Sequence, residues 1–144
     1  MTTADELKGV PLLSCLSNRD LKRIAKEVSQ SRFDAGTTIV REGKMSGVGF
    51  FIVAEGEAAV SVDGAEVTRL GPGDYFGELA LISEDARTAT VTALTRVRCL
   101  VIAFWDFRRF AKENPDVTWM LLQHLARLLK GERDRRARAS VLTT

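Results

Sequence analysis

Residues 71–94, GPGDYFGELALISEDARTATVTAL, decide how this chain is read. Gly71, Pro72 and Gly73 open the stretch as a turn, because glycine reaches positive φ and proline presets a bend. Gly77 lets backbone approach a ligand closely, and Glu78 to Ile82 then reads as a short helix. A helix start offers unpaired N–H groups and partial positive charge, which suits a phosphate. Glu78 sits at that start. Its ionised carboxylate only accepts hydrogen bonds, so it fits a donor such as a ribose hydroxyl and not the phosphate itself. Arg87 comes nine residues later, just before the strand Thr88–Leu94. Its planar fork matches two phosphate oxygens at once. A single arginine balances a single negative charge, the charge of a cyclic phosphodiester. A terminal nucleotide phosphate carries more and would usually want a lysine or a metal as well. These are the parts of a pocket for a small sugar-phosphate.

Outward from this stretch the texture is regular. Upstream, Thr37–Arg41, Val48–Ala54, Glu57–Val62 and Glu66–Leu70 read as short strands, with Asp63-Gly64 as a hairpin turn. Downstream, Thr88–Leu94 alternates Ala89, Val91 and Ala93 with Thr88, Thr90 and Thr92, the period of a half-buried strand, and Arg98–Ala103 follows. Short strands at even spacing predict a small barrel or jelly roll. Before them, Pro11–Leu16 reads as a helical turn. Ser17 caps a helix carrying Leu21, Ile24, Ala25 and Val28 at helical spacing, and Arg32–Gly36 reads as a bend. After them, Trp105–Lys112 reads as one helix, broken at Asn114-Pro115. A second runs from about Asp116 to about Arg138, and Ser140–Thr144 reads as loose.

The central segment resembles the phosphate-binding cassette of cyclic nucleotide-binding domains. The family's Phe-Gly-Glu-Leu-Ala-Leu stands as Phe76, Gly77, Glu78, Leu79, Ala80 and Leu81, and its Arg-x-Ala-Thr-Val as Arg87, Thr88, Ala89, Thr90 and Val91. The likeness extends over roughly residues 10–130, with Arg41-Glu42-Gly43, Phe51-Ile52-Val53 and Gly56-Glu57 similar to the family's earlier strands. The resemblance implies that Glu78 holds the ribose 2′-hydroxyl. Arg87 and the amides near Leu79 and Ala80 would hold the phosphate, with Thr88 beside phosphate and base. Ala86 stands where many members have proline, and Glu84 and Asp85 before it are expected in solvent. A hydroxyl at Thr88 suits cAMP or cGMP; the reading leans to cAMP, with no metal.

Composition bounds the rest. The chain has 144 residues, 45% of them hydrophobic and 28% charged, with a net charge of +2. That describes one ordinary globular domain able to bury roughly 70% of its extended surface. The start, MTTADELKGV, lacks a signal-peptide pattern, and no apolar run approaches a membrane span of roughly 18 residues. A cytoplasmic location without membrane contact is expected. Cys15 and Cys99 lie among apolar neighbours and read as buried free thiols, with a disulfide or reactive thiol as the alternative. His124, the only histidine, reads as a packing residue. With no G-x-S-x-G, H-E-x-x-H, P-loop or cysteine cluster, catalysis is not expected.

Three roles stay open for the last helix: packing on the barrel, a lid over the purine as the resemblance implies, or dimerisation along Leu121, Leu125 and Leu128. Arg127, Lys130, Arg133, Arg135, Arg136 and Arg138 against Glu132 and Asp134 leave a local surplus of four positive charges. Such a run suits a solvated helix end, or else binding to nucleic acid or an acidic partner. Family transcription regulators carry a helix-turn-helix after the long helix; roughly six residues remain here, so sequence-specific DNA binding is not expected.

The reading is therefore a single α+β domain over residues 1–144. N-terminal helices span 5–30 and a β jelly roll (a double-stranded β-helix barrel) spans 32–103. The phosphate-binding cassette covers 76–91 and C-terminal helices cover 104–139. Its ligand-binding residues are Phe76, Gly77, Glu78, Leu79, Ala80, Arg87, Thr88 and Ala89. The expected function is a cyclic nucleotide sensor whose C-terminal helices move on binding and pass the signal to an effector protein or a second copy. The alternative is a ligand-free jelly-roll scaffold acting through protein contacts.

Overall fold

Two four-stranded antiparallel sheets face each other in a computed structural model that describes residues 2–41, 49–77 and 89–143, with side chains described to residue 134 apart from residue 132. The strands are β1 (Ser29–Phe33), β2 (Thr38–Val40), β3 (Phe50–Glu55), β4 (Ala58–Val62), β5 (Ala65–Leu70), β6 (Tyr75–Phe76), β7 (Thr90–Ala93) and β8 (Val97–Ile102). One sheet has the order β1-β8-β3-β6 and the other β2-β7-β4-β5. Helices α1 (Thr3–Lys8) and α2 (Asn18–Ala25) precede the strands, and α3 (Phe104–Glu113) and α4 (Pro115–Thr143) follow them. This is the expected α+β jelly roll with helices at both ends.

β3 and β8 explain why the layers stack as they do. Both are apolar on both faces, so each feeds two cores. Phe50, Ile52, Leu100 and Ile102 join Leu7, Leu13, Leu21, Ile24, Phe107 and Phe110 under the helices. Phe51, Val53, Cys99 and Val101 join Val97 and Ala93 between the sheets. The register puts like with like, because Phe50 faces Ile102, Ile52 faces Leu100, Phe51 faces Val101 and Val53 faces Cys99. Cross-strand neighbours on one face are the unit of sheet stabilisation.

The helix ends follow local chemistry. Ser17 caps α2 by accepting from the Asp20 N–H at 3.2 Å. Thr2 and Asp5 form a capping box on α1, and the hydrogen bond from the Thr2 backbone holds the Asp5 carboxyl below its usual range. Pro115 opens α4, where a missing N–H costs nothing. The α3–α4 corner is tied by the Thr118 hydroxyl, which donates to the Ala111 carbonyl at 2.6 Å. Asp63 (φ 52°) and Gly64 (φ 81°) both take positive φ, so the expected hairpin turn joins β4 to β5.

The structure corrects three boundaries. The N-terminal helices end at Ala25, not at residue 30, and Ser29 opens a strand that pairs with β8. Ser29–Phe33 has no apolar alternation; it is a strand because the β8 edge needs its backbone partners satisfied. The bend expected over Arg32–Gly36 shrinks to a turn after Phe33, closed by Thr37 N–H to Asp34 carbonyl at 3.1 Å. Finally, α4 runs on through Ser140 to Thr143 instead of loosening there.

Candidate ligand-binding site

Two hydrogen bonds close the turn before the candidate site. The Gly71 N–H donates to Asp74 Oδ2 at 2.8 Å and the Asp74 N–H returns to the Gly71 carbonyl at 3.0 Å. Gly73 and Asp74 also exchange bonds with Val53, both at 2.8 Å, which docks the turn on β3. Of the two turn glycines, Gly73 takes positive φ (92°) and Gly71 does not.

β6 then runs for two residues and faces both ways. Tyr75 packs against the helix-side core, with its ring 6.2 Å from Phe50. Phe76 packs into the space between the sheets, stacked on Phe51 at 4.9 Å. Gly77 leaves the strand at φ 81°, a left-handed conformation that an L side chain adopts only under strain. The chain returns at Ala89, half-buried, and enters β7, where Val91 is buried opposite Val40 and Val60. The described chain thus leaves the first sheet at Gly77 and rejoins the second at Ala89.

Of the expected site residues, Phe76, Gly77 and Ala89 are described, and each stands at an end of that segment. Glu78, Leu79, Ala80, Arg87 and Thr88, together with the short helix expected after Gly77, lie outside the described residues. Phe33, Ile39, Val40, Leu70 and Phe76 pack on the inner core while staying partly open, which leaves an apolar wall at the barrel interior. Among the described residues no group of three His, Cys, Asp or Glu side chains could hold a metal. Tyr75 and Phe51 were not singled out as site residues.

The remaining features settle into structure. His124 contacts the Pro11 carbonyl, with Nε2 3.4 Å from Ser14 Oγ, and so pins α4 to the turn after α1. Cys15 and Cys99 are both free thiols, with Cys15 only half-buried. Burial raises the Cys15 thiol and pushes Cys99 up to about 11. On α4, Leu121 is buried while Val117 and Leu125 pack partly against the helical core. Leu121 is therefore unavailable to the dimer seam drawn through Leu121, Leu125 and Leu128. Trp119, Leu122 and Leu129 are exposed instead, at 62%, 55% and 61%.

The fold and this segment define a cyclic nucleotide-binding domain. The profile of that family matches residues 30–114, more than half of the chain, and the chain belongs to it. A cAMP-dependent protein kinase regulatory subunit from Eremothecium gossypii is 40% identical over 106 residues, covering 73% of this chain and 23% of that protein. The cGMP-dependent protein kinase isozyme 1 of Drosophila melanogaster is 40% identical over 111 residues, covering 72% of this chain and 14% of that protein. The chain thus spans less than a third of either relative. Among solved structures, the N-terminal domain of a transcriptional regulator from Streptomyces coelicolor superposes with a TM-score of 0.79 at 32% identity, covering 90% of this chain and 93% of that one. The regulatory domain of Toxoplasma gondii PKA in complex with cAMP superposes at 0.65 with 31% identity, over 84% of this chain and 48% of that one. No helix among the described residues is long and apolar enough to cross a membrane.

Proposed function

We propose that this domain is a regulatory sensor that captures one cyclic nucleotide, cAMP ahead of cGMP, on segment 76–89. Glu78 takes the ribose hydroxyl. Arg87 and the amides after Gly77 take the phosphate, Thr88 stands beside phosphate and base, and the half-buried apolar wall receives the rest. The observation that carries the reading is the left-handed Gly77 at the end of a strand stacked on Phe51, directly before the Glu78-Leu79-Ala80 of the cassette. The cAMP named in the Toxoplasma complex supports the ligand class.

The signal leaves through the helices. Tyr75 and Phe76 are adjacent on β6 but belong to different cores, so a shift of the cassette moves the packing under α3 and α4 as well. A ligand shifts such an equilibrium only by its differing affinity for the two states. The exposed Trp119, Leu122 and Leu129 favour α4 as the surface that meets an effector protein or a second copy. Two free thiols, one fully buried, fit a reducing cytoplasm.

Calorimetric titration with cAMP and with cGMP tests the reading directly. Saturable binding that Arg87→Ala weakens by roughly 3–5 kcal/mol supports it, because the phosphate is left without its counter-charge. No heat up to millimolar nucleotide, with partner contacts mapped to α4, would establish the ligand-free scaffold instead.

A further inference from the structure

The end of the barrel away from Gly77 and Ala89 carries a cleft of about 340 Å³ lined by Arg32, Glu55, Arg96, Val97 and Arg98. The strand directions place it there. Phe51 pairs with Phe76, so Gly77 lies level with the start of β3, whereas Glu55 ends that strand. Ala89 likewise precedes β7, and Arg96 follows it. Nothing in the cyclic nucleotide reading uses this cleft.

Its charge is unbalanced. Arg32 and Arg98 stand directly opposite each other in the β1/β8 pairing, and like charges at such a position destabilise a sheet. Arg98 is relieved by Glu55 at 3.0 Å and by Gln30 at 3.3 Å. The Arg32 and Arg96 guanidinium groups have no ion-pair or hydrogen-bond partner among the described residues. Among the described residues that line the cleft, three guanidinium groups therefore share one carboxylate.

Its walls are also held in place. The β3 register shifts between Val53 and Glu55, an irregularity that re-aims the Glu55 side chain. Gly56, at φ 92°, lies so close to the β7–β8 turn that an added Cβ would come 2.1 Å from the Arg96 carbonyl oxygen. The Glu57 N–H donates to Thr95 Oγ1 at 3.0 Å, and the Leu94 N–H to the Glu57 carbonyl at 2.9 Å. The backbone that carries Arg96 is thereby fastened to the backbone that follows Glu55. A fixed frame lowers the ordering cost of binding.

We propose that this cleft is a second, anion-binding site that takes a small phosphate dianion, with Arg32 and Arg96 contacting the ligand and Arg98 held by Glu55 as the supporting charge. Planar forks suit phosphate oxygens, and a lining charged at every residue but Val97 suits an ionic ligand. Occupancy would relieve the Arg32–Arg98 repulsion across the two strands.

Amide NMR with inorganic phosphate and pyrophosphate as probes, at low salt and with or without saturating cAMP, tests this without depending on the cyclic nucleotide site. The expected result is saturable shifts centred on Arg32, Gly56 and Thr95–Arg98 whether or not cAMP is present. Arg32→Gln and Arg96→Gln together weaken binding by about fivefold or more, as loss of two partly solvated contacts should. Glu55→Gln, at a side chain that is 68% exposed, strengthens it by removing the competing carboxylate. Succinate titrated in parallel separates a phosphate preference from a general dianion site; weaker binding than phosphate is expected. Non-saturating shifts that chloride reproduces would overturn the proposal. So would unchanged affinity in the double arginine variant, or weaker binding in Glu55→Gln.

Discussion

Phe76 lies flat on Phe51, with ring centroids 4.9 Å apart and planes within 7°, and this stack joins the strand before the candidate ligand segment to the buried strand β3. Phe51 is 2% exposed, so its own position is set by the core. Phe76 inherits that position, and Gly77 follows from it.

Truncating the stack should loosen the end of β6. Phe76→Ala is expected to cost about 2–3 kcal/mol in urea unfolding, from lost apolar burial and lost ring contact. Phe76→Leu should recover most of it. Cyclic nucleotide affinity should fall in the alanine variant even at temperatures where it remains folded.

Gly56 should tolerate no side chain. Gly56→Ala places a Cβ 2.1 Å from backbone and 2.9 Å from Thr95 Oγ1. A loss of more than about 2 kcal/mol is expected, since backbone must move. Gly64→Ala offers the comparison: positive φ again, but open space around it, so thermal unfolding should show a smaller drop.

Neighbouring leucines on α4 should behave oppositely. Leu121→Ala removes a side chain buried under the turn at Pro11–Leu13 and should cost about 2–4 kcal/mol. Leu122→Ser faces solvent and should stay within about 0.5 kcal/mol in the monomer. A larger effect at Leu122 that grows with protein concentration would reveal self-association through that face.

The Cys99 thiol supplies a pH dependence. Its pKa rises from the ordinary 9.0 to about 11 because burial disfavours the thiolate. The open chain therefore ionises first. Stability from this group is intact below pH 9 and is lost as the pH climbs from 9 through 11. Urea midpoints of the wild type should fall more steeply across that window than those of Cys99→Val. At pH 8, a thiol reagent should label Cys15 well before Cys99.

Glu78→Gln separates the two halves of the proposed ligand contact. The amide keeps the size but weakens the charge-assisted bond to the ribose hydroxyl, so affinity should drop by about 1–2 kcal/mol, less than for Arg87→Ala. Equal losses in both, measured by calorimetry, would remove the distinction between a ribose residue and a phosphate residue.

Local chemistry was readable from the chain alone. Ser17, Asp63-Gly64 and Asn114-Pro115 act within a few residues of themselves, and the structure uses each as the sequence implies. The order of motif residues from Phe76 to Val91 pointed to the family for the same reason, since a turn, a helix start and an arginine at set spacing carry their chemistry in sequence. Only the tertiary structure made Ser29–Phe33 a strand, because its polar pattern says nothing until β8 lies beside it. Only packing sent Phe50 to the helices and Phe51 to the barrel interior, because a strand apolar on both faces has no period to read. The same holds for α4, where apolar residues circle the helix and packing on the helical core selects Leu121 over Leu122. The meeting of Arg32, Arg96 and Arg98 likewise depends on strand register, which no single stretch of chain encodes.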